Sequence, residues 1–251
     1  MPRPMLTDEY WSKLKPTLLD TGIYDKPRLR ATIEGILFRM RVGCPWRDLP
    51  PEFGNWNSVF KKFNYWSKND KLNLVFKILS KDPDLEWEFI DGSIIKAHQH
   101  SSGANKKSEV SNAIGKSVAG NTSKIHMAVD STGLPIDFEI TGGEVHDVKV
   151  APGFIEKLPR SEYVIADKGY DSEDLREQIK NKNSIPIIPR KRNSKTGNDD
   201  IDWGLYKYRH LVENIFARLK HFRSIATRYD KLKRNYAGML CLACAYLWLP
   251  M

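Results

Sequence analysis

The chain reads as an α/β protein: a mixed sheet flanked by helices, preceded by a small all-α region. Three observations carry that expectation. Apolar residues recur at helical spacing through residues 7–79. Beyond residue 80 the pattern shifts to short apolar runs bounded by turn signals, the mark of strands. Those strands alternate with helical stretches in the order β, β-hairpin, α, β, α, β, α.

In the first region, Thr7-Asp8-Glu9 caps a helix carrying Tyr10, Trp11, Leu14 and Leu18 on one side. Pro27 opens a second, with Leu29, Ile33, Ile36, Leu37 and Met40 in register. The Pro- and Gly-rich run "GCPWRDLPPEFGNW" is a connection. Next, "NWNSVFKKFNYWSK" places Trp56, Val59, Phe60, Phe63 and Trp66 on one face and Asn57, Ser58, Lys61 and Tyr65 opposite. An apolar-backed helix with polar and basic residues outward suits a helix-turn-helix recognition element, and a plain solvated face is the alternative. On the first reading Asn57, Ser58, Lys61 and Lys62 are DNA-contact candidates. "LSKDPDLEWE" is a linker, so the expected division is a helical domain at 1–80 and a second domain at 81–251.

In the second region, residues 86–97 are strand-like. Residues 101–122, rich in Ser, Gly, Asn and Lys, read as a loop. "SKIHMAVDSTGLPIDFEITGG" is a hairpin turning at Asp130-Ser-Thr-Gly, and residues 147–158 a short helix. "YVIADKG" and "SIPIIPR" are strands around a helix at 172–182, "KRNSKTGNDDID" is a charged loop, and residues 204–222 a long amphipathic helix. This order matches a ribonuclease H-like fold. Asp91-Gly92, inside "EFIDGSIIKAHQHSSGANK", reads two ways. It is a tight turn, or one strand with a functional carboxylate and a glycine that lets a ligand approach.

Composition narrows the function. Net charge is +9 over 251 residues, with 41% hydrophobic and 28% charged content. That is a globular protein with a polyanionic partner, most simply nucleic acid. Residues 1–80 carry 14 basic against 8 acidic side chains, residues 81–185 carry 13 against 18, and residues 186–251 carry 13 against 5. Basic ends around an acidic middle fit DNA binding combined with a carboxylate metal site. Three cysteines exclude a disulfide scaffold. Cys241 and Cys244 lie in the apolar run "YAGMLCLACAYLWL", 14 residues that fall short of a membrane span. The N-terminal "MPRPMLTDEYW" lacks an apolar signal core, so a cytoplasmic, nucleoid-associated protein without membrane contact is expected.

The most informative element is "YKYRHLVENIFARLKHF". On one continuous helix, Tyr206, Arg209, Glu213 and Lys220 share a narrow face beside a stripe of Leu205, Val212, Phe216 and Leu219. A carboxylate among phosphate-binding groups makes sense if it holds a divalent metal near a phosphodiester. Alternatively, Arg209 and Glu213 form a surface i,i+4 pair. This Tyr-x2-Arg-x3-Glu-x6-Lys spacing resembles the signature of DDE-type bacterial insertion-sequence transposases of the families numbered four and five. "FIDGSIIKAHQHSSGA" resembles the first-Asp segment of the fifth family, "YVIADKGYDS" its second-Asp segment, and "PWRDLPPEFGNWNSVFKKFNYW" its N-terminal helical module.

The resemblance implies a catalytic and metal-binding triad of Asp91, Asp167 and Glu213, two Mg2+ or Mn2+ ions, and DNA as substrate. Its implied chemistry is cleavage at element ends, then transfer of the freed 3′-OH into target DNA. It also implies double-stranded partners, namely terminal inverted repeats and target DNA, and a homodimer or larger synaptic complex. Tyr206, Arg209 and Lys220 are then DNA contacts, and no large domain is inserted between Asp167 and Glu213. Arg190 and Arg192, with Lys191, are expected as backbone contacts or solvated cations. Two rivals remain: a nuclease that cuts without rejoining, and a non-catalytic DNA-binding regulator derived from a transposase. Asp130 is explained by its turn. His98 and His100 are expected to be structural or DNA-contacting. "GGEVHD" resembles the family too, without a role for His146 or Asp147.

Overall fold

The computed structural model describes residues 2–101 and 112–251. The chain forms two compact units, and neither is a single stretch of sequence. The first comprises residues 1–81, 96–112 and 219–251; the second comprises 82–95 and 113–218.

The first unit opens with helix α1 (Asp8–Asp20), where the Thr7 hydroxyl accepts the Tyr10 N–H. Helix α2 (Leu29–Val42) ends at Gly43, at φ 73°. That left-handed position suits glycine, and a Cβ there would also meet Arg223 Cβ at 2.9 Å. The Asn55 side chain caps α3 (Trp56–Lys68) by accepting from Asn57 and Ser58 N–H, and α4 (Lys71–Leu79) follows. Leu18, Ile33, Phe63 and Phe76 are wholly buried.

The second unit holds the sheet. Its strands are β1 (Trp87–Ala97), β2 (Gly115–Ser117), β3 (Gly120–Val129), β4 (Pro135–Gly142), β5 (Tyr163–Ala166) and β6 (Ile185–Ile187). The helices are α5 (Asp147–Lys157), α6 (Glu173–Asn181), α7 (Trp203–Tyr206) and α8 (His210–Lys220). Neighbouring strands run β4-β3-β1-β5-β6, with the short β2 added at the start of β3. β3 and β4 are antiparallel; β1, β5 and β6 are parallel. This is the ribonuclease H-like mixed sheet. Ile90, Ala128, Val164 and Ala166 pack with Ala151, Phe154, Leu175 and Ile179 of α5 and α6.

The chain then returns to the first unit through α9 (Arg223–Ala226), β7 (Thr227–Arg228) and α10 (Lys233–Trp248). β7 pairs in parallel with Lys96–Ala97 at the end of β1. α10 packs on α3 and α4 and is buried nearly all round, as a helix apolar on every side must be. Cys241 and Cys244 are buried there and are not joined in a disulfide. Residues 219–251 thus pack with the N-terminal helices, not with the 81–251 stretch in which the sequence placed them.

Two further expectations change. The loop expected at 101–122 contains strand β2 and the start of β3, and its residues 102–111 lie outside the described part. The long helix expected at 204–222 is broken: a 3-10 turn at Lys207–Arg209 separates α7 from α8. Tertiary contacts favour the tighter turn, because Tyr208 there meets Trp87 (centroids 5.1 Å apart) and Arg209 reaches Asp91. The hairpin at Asp130 forms as expected: Asp130 Oδ1 accepts from Thr132 N, Thr132 Oγ1 and Leu134 N.

Candidate active site

Asp91 lies within β1, not in a turn. β1 and β5 are parallel, with Ile90 opposite Ala166. The next residue on each strand is the carboxylate, so Asp91 and Asp167 end up side by side, about one strand spacing apart (~4.8 Å). Asp167 follows β5 and caps a short 3-10 turn, its Oδ1 accepting the Gly169 N–H at 2.8 Å. Asp91 Oδ1 accepts its neighbour's N–H, from Gly92, at 2.8 Å.

Arg209 ties the third carboxylate to the first. Its Nη1 donates to Asp91 Oδ2 at 2.9 Å, and its Nη2 donates to Glu213 Oε1, one helical turn ahead on α8. Val212, Ile215 and Phe216 bury the other side of α8 and fix its rotation. The Arg209 guanidinium also lies over the Tyr206 ring at 6.0 Å. Burial pushes the Asp91 carboxyl above its usual pKa; Asp167 adds to this, and the Gly92 N–H and Arg209 oppose it. Burial disfavours the charged form of Arg209, yet Asp91 and Glu213 beside it push its pKa up overall.

Among the described residues, no three Asp, Glu, His or Cys side chains converge as ready metal ligands. The Arg209 guanidinium instead stands as the cation between Asp91 and Glu213. The donors are carboxylate oxygens, the chemistry that hard divalent ions require. Clustered carboxylates repel one another unless a cation stands among them, so the donor set fits such an ion.

The remaining sequence candidates scatter. Lys220 belongs to the first unit and is exposed. Arg190 is engaged within the chain, bidentate to Asp200 at 2.5 and 2.9 Å and 3.4 Å from Glu173. Arg192 is exposed. On α3, Ser58 and Lys61 are exposed and Asn57 half-buried. Lys62 donates to Thr32 Oγ1 at 3.1 Å; burial lowers its pKa, and Lys26 and Arg28 add to the effect. His98 stacks on Tyr229 at 4.6 Å and has His100 at 4.7 Å. His146 precedes α5 without capping it through its side chain.

The sequence reading passed over Lys124, His126 and Tyr170 near the site and gave Asp147 no role. Asp147 sits against Gly92, with Lys124 and His126 beside it, and the Tyr170 hydroxyl is buried nearby. Burial raises the Asp147 carboxyl, but His126 and Lys124 pull its pKa below the usual range overall. Alternation along "SKIHM" places Lys124 and His126 on one face of β3, a signal that was legible once β3 had a neighbour.

Comparison with known proteins follows this geometry. Residues 89–248 match a family model described as "Transposase DDE domain", and residues 6–76 one described as "Putative transposase of IS4/5 family". A Brucella ovis protein named "Putative transposase for insertion sequence element IS6501" is 37% identical over 132 residues, 51% of this chain and 98% of its own. A Burkholderia cepacia protein named "Putative transposase for insertion sequence element IS402" is 32% identical over 136 residues, 50% of this chain and 62% of its own. Among solved structures, a piggyBac transposase synaptic complex with hairpin DNA aligns at TM-score 0.39 and 11% identity, over 76% of this chain and 50% of that one. A pre-cleavage Mos1 transpososome aligns at TM-score 0.29 and 11% identity, over 90% and 80%. Likenesses at these TM-scores leave the fold resting on the strand order described above. No helix among the described residues is long and apolar enough to cross a membrane. With its own sequence matched to the family over residues 89–248, the chain belongs to the DDE transposases.

Proposed function

We propose that this transposase cuts DNA at the ends of an insertion sequence and joins the freed 3′-OH to target DNA, with Asp91, Asp167 and Glu213 as metal ligands. The observation that carries this reading is Arg209, which bridges Asp91 and Glu213 beside the strand that delivers Asp167. Asp91, Asp167 and Glu213 would hold two Mg2+ or Mn2+ ions, which would supply activation of the attacking oxygen and charge stabilisation of the leaving one.

The protein groups have distinct tasks. Asp91 and Asp167 supply oxygen donors from neighbouring strands of the sheet, and Glu213 supplies its own from α8. With the carboxylates neutralised by a bound cation, Arg209 would be available to hold a phosphate through its planar fork. Tyr206, already against Arg209, offers a ring or hydroxyl to a DNA end. Water is the first nucleophile and the DNA 3′-OH the second, so no covalent protein–DNA link is needed.

The helices of residues 1–80 serve as the end-binding region, with Asn57, Ser58 and Lys61 on the polar side of α3, and the second unit, which carries Asp91, Asp167 and Glu213, as the catalytic region. Handling two ends at once calls for a homodimer or larger synaptic complex, working on double-stranded DNA of the nucleoid. The deciding experiment incubates the full chain with a duplex carrying a candidate element end, a target duplex and Mg2+. Nicking at the end together with a joined product supports transposition. Nicking with no joined product across Mg2+ and Mn2+ favours a nuclease, and DNA binding with no cleavage favours a regulator.

A further inference from the structure

Gly142–Asp147 resembles the family without an assigned role, and the fold gives its last residue a place. Asp147 opens α5 directly behind the Asp91-Gly92 step of β1. Strand alternation turns position 92 to the face opposite Asp91. A Cβ built on Gly92 would lie 2.5 Å from Asp147 Oδ1 and 3.4 Å from Lys124 Cδ. Gly92 does not have a positive φ. It is therefore the carboxylate, not the backbone conformation, that requires glycine next to Asp91.

Asp147 is itself held from two sides. Lys124 Nζ donates to Val145 O at 2.9 Å and lies 3.3 Å from the Asp147 carboxylate. His126 Nδ1 is 3.3 Å from Asp147 Oδ1 without hydrogen-bond alignment, and its Nε2 is 2.9 Å from Thr141 Oγ1. Both partners are buried. A second observation points to the same place. The Tyr170 hydroxyl is only 2% exposed and has no hydrogen-bond partner, and the charges acting on it are those of Asp147, Asp91 and Asp167. Its ring packs in the cluster containing Ile90 and Ala166, the residues just before the two aspartates. A buried, unpartnered phenol that feels the charge of three carboxylates marks a polar site, since buried hydroxyls otherwise find partners.

We propose that Asp147 is a positioning residue of the DDE site. Braced by Lys124 and His126, it fills the space that Gly92 leaves behind β1 and sets where the Asp91 carboxylate stands when a divalent ion binds. It faces away from Asp91 and so is not a ligand of the same ion. The inference rests on the metal-ligand reading of Asp91.

The test is Mn2+ binding to the full chain by titration calorimetry, with thermal unfolding as a fold check. Gly92→Ala is expected to weaken Mn2+ binding about 10–100-fold, the usual cost of disturbing groups that orient metal ligands. Asp147→Ala, at a partly exposed position, is expected to weaken it within the same range while the chain stays folded. The double variant Gly92→Ala/Asp147→Ala is expected to bind more tightly than Gly92→Ala alone, because the added methyl no longer meets the carboxylate. Wild-type affinity in Gly92→Ala or in Asp147→Ala, or a double variant no better than Gly92→Ala, overturns the proposal. If Gly92→Ala does not fold, Asp147→Ala alone decides. Asp91→Asn separates the two readings. Undiminished Mn2+ binding there removes the metal site and this inference together, whereas loss there with wild-type affinity in the Asp147 variant removes the inference alone.

Discussion

Arg209 Nη1 lies 2.9 Å from Asp91 Oδ2, joining residues 118 positions apart in the chain. The same guanidinium holds Glu213 through its other nitrogen. A surface i,i+4 pair would account for Arg209 and Glu213 alone; the third partner, on a central strand, is what makes the helix part of a site.

If the three carboxylates are the metal ligands, Asp91→Asn, Asp167→Asn and Glu213→Gln should each lower Mg2+-dependent cleavage by more than the ~10–100-fold that outer groups cost. Duplex binding without metal should persist. A gel-based cleavage assay with electrophoretic mobility shifts checks both, and cleavage near wild-type rate in any one variant removes that residue from the triad.

Arg209→Ala should slow cleavage by roughly 10²–10³-fold, the range for losing one preorganised electrostatic group. Arg209→Lys should recover only part, because an ammonium lacks the planar fork that spans Asp91 and Glu213. If Arg209 touches a phosphate, either variant should change the salt dependence differently: the log–log slope falls by about 1 in Arg209→Ala and stays near wild type in Arg209→Lys. An unchanged slope in Arg209→Ala would place Arg209 away from DNA.

Glu88, on β1, is buried with only Ser161 Oγ at 3.2 Å, and burial pushes its carboxyl up to about 8. Between pH 4.5 and 8 the folded chain keeps a proton that the unfolded chain has released, so this group lowers stability as pH rises through that window. Glu88→Gln should remove the slope, gaining roughly 3–5 kcal/mol over wild type at pH 8 relative to pH 4.5. Parallel urea titrations at the two pH values measure it, and equal differences at both would show that Glu88 ionises normally.

A fragment of residues 1–81 should not unfold cooperatively by itself. It lacks α10, whose apolar residues cover α3 and α4, and exposing a helix face of that kind costs about 25 cal/mol per Å2. Circular dichroism melts of the fragment and of the full chain provide the comparison; a sharp two-state melt of the fragment would show that the N-terminal helices need no cover.

The sequence by itself determined most of the helices and strands, the order of the three carboxylates and the Asp130 hairpin, because periodicity, turn chemistry and residue spacing are local properties; the strand β2 inside the expected loop at 101–122 it did not. It also placed Asp167 at a strand end and Glu213 on a helix, which the structure keeps. Three features were decided only in three dimensions. The 3-10 turn at Lys207–Arg209 tightens a pattern that reads as one regular helix, and there Tyr208 meets Trp87 and Arg209 reaches Asp91, both more than a hundred residues away. The C-terminal helix joins the N-terminal helices because an all-apolar cylinder must be covered on every side, and no sequence period says by what. Asp147 comes to lie behind Gly92 because a strand pairing and a helix start coincide in space; 55 positions apart in the chain, an Asp without an assigned role and an ambiguous Asp-Gly step give no sign of each other until the sheet is built.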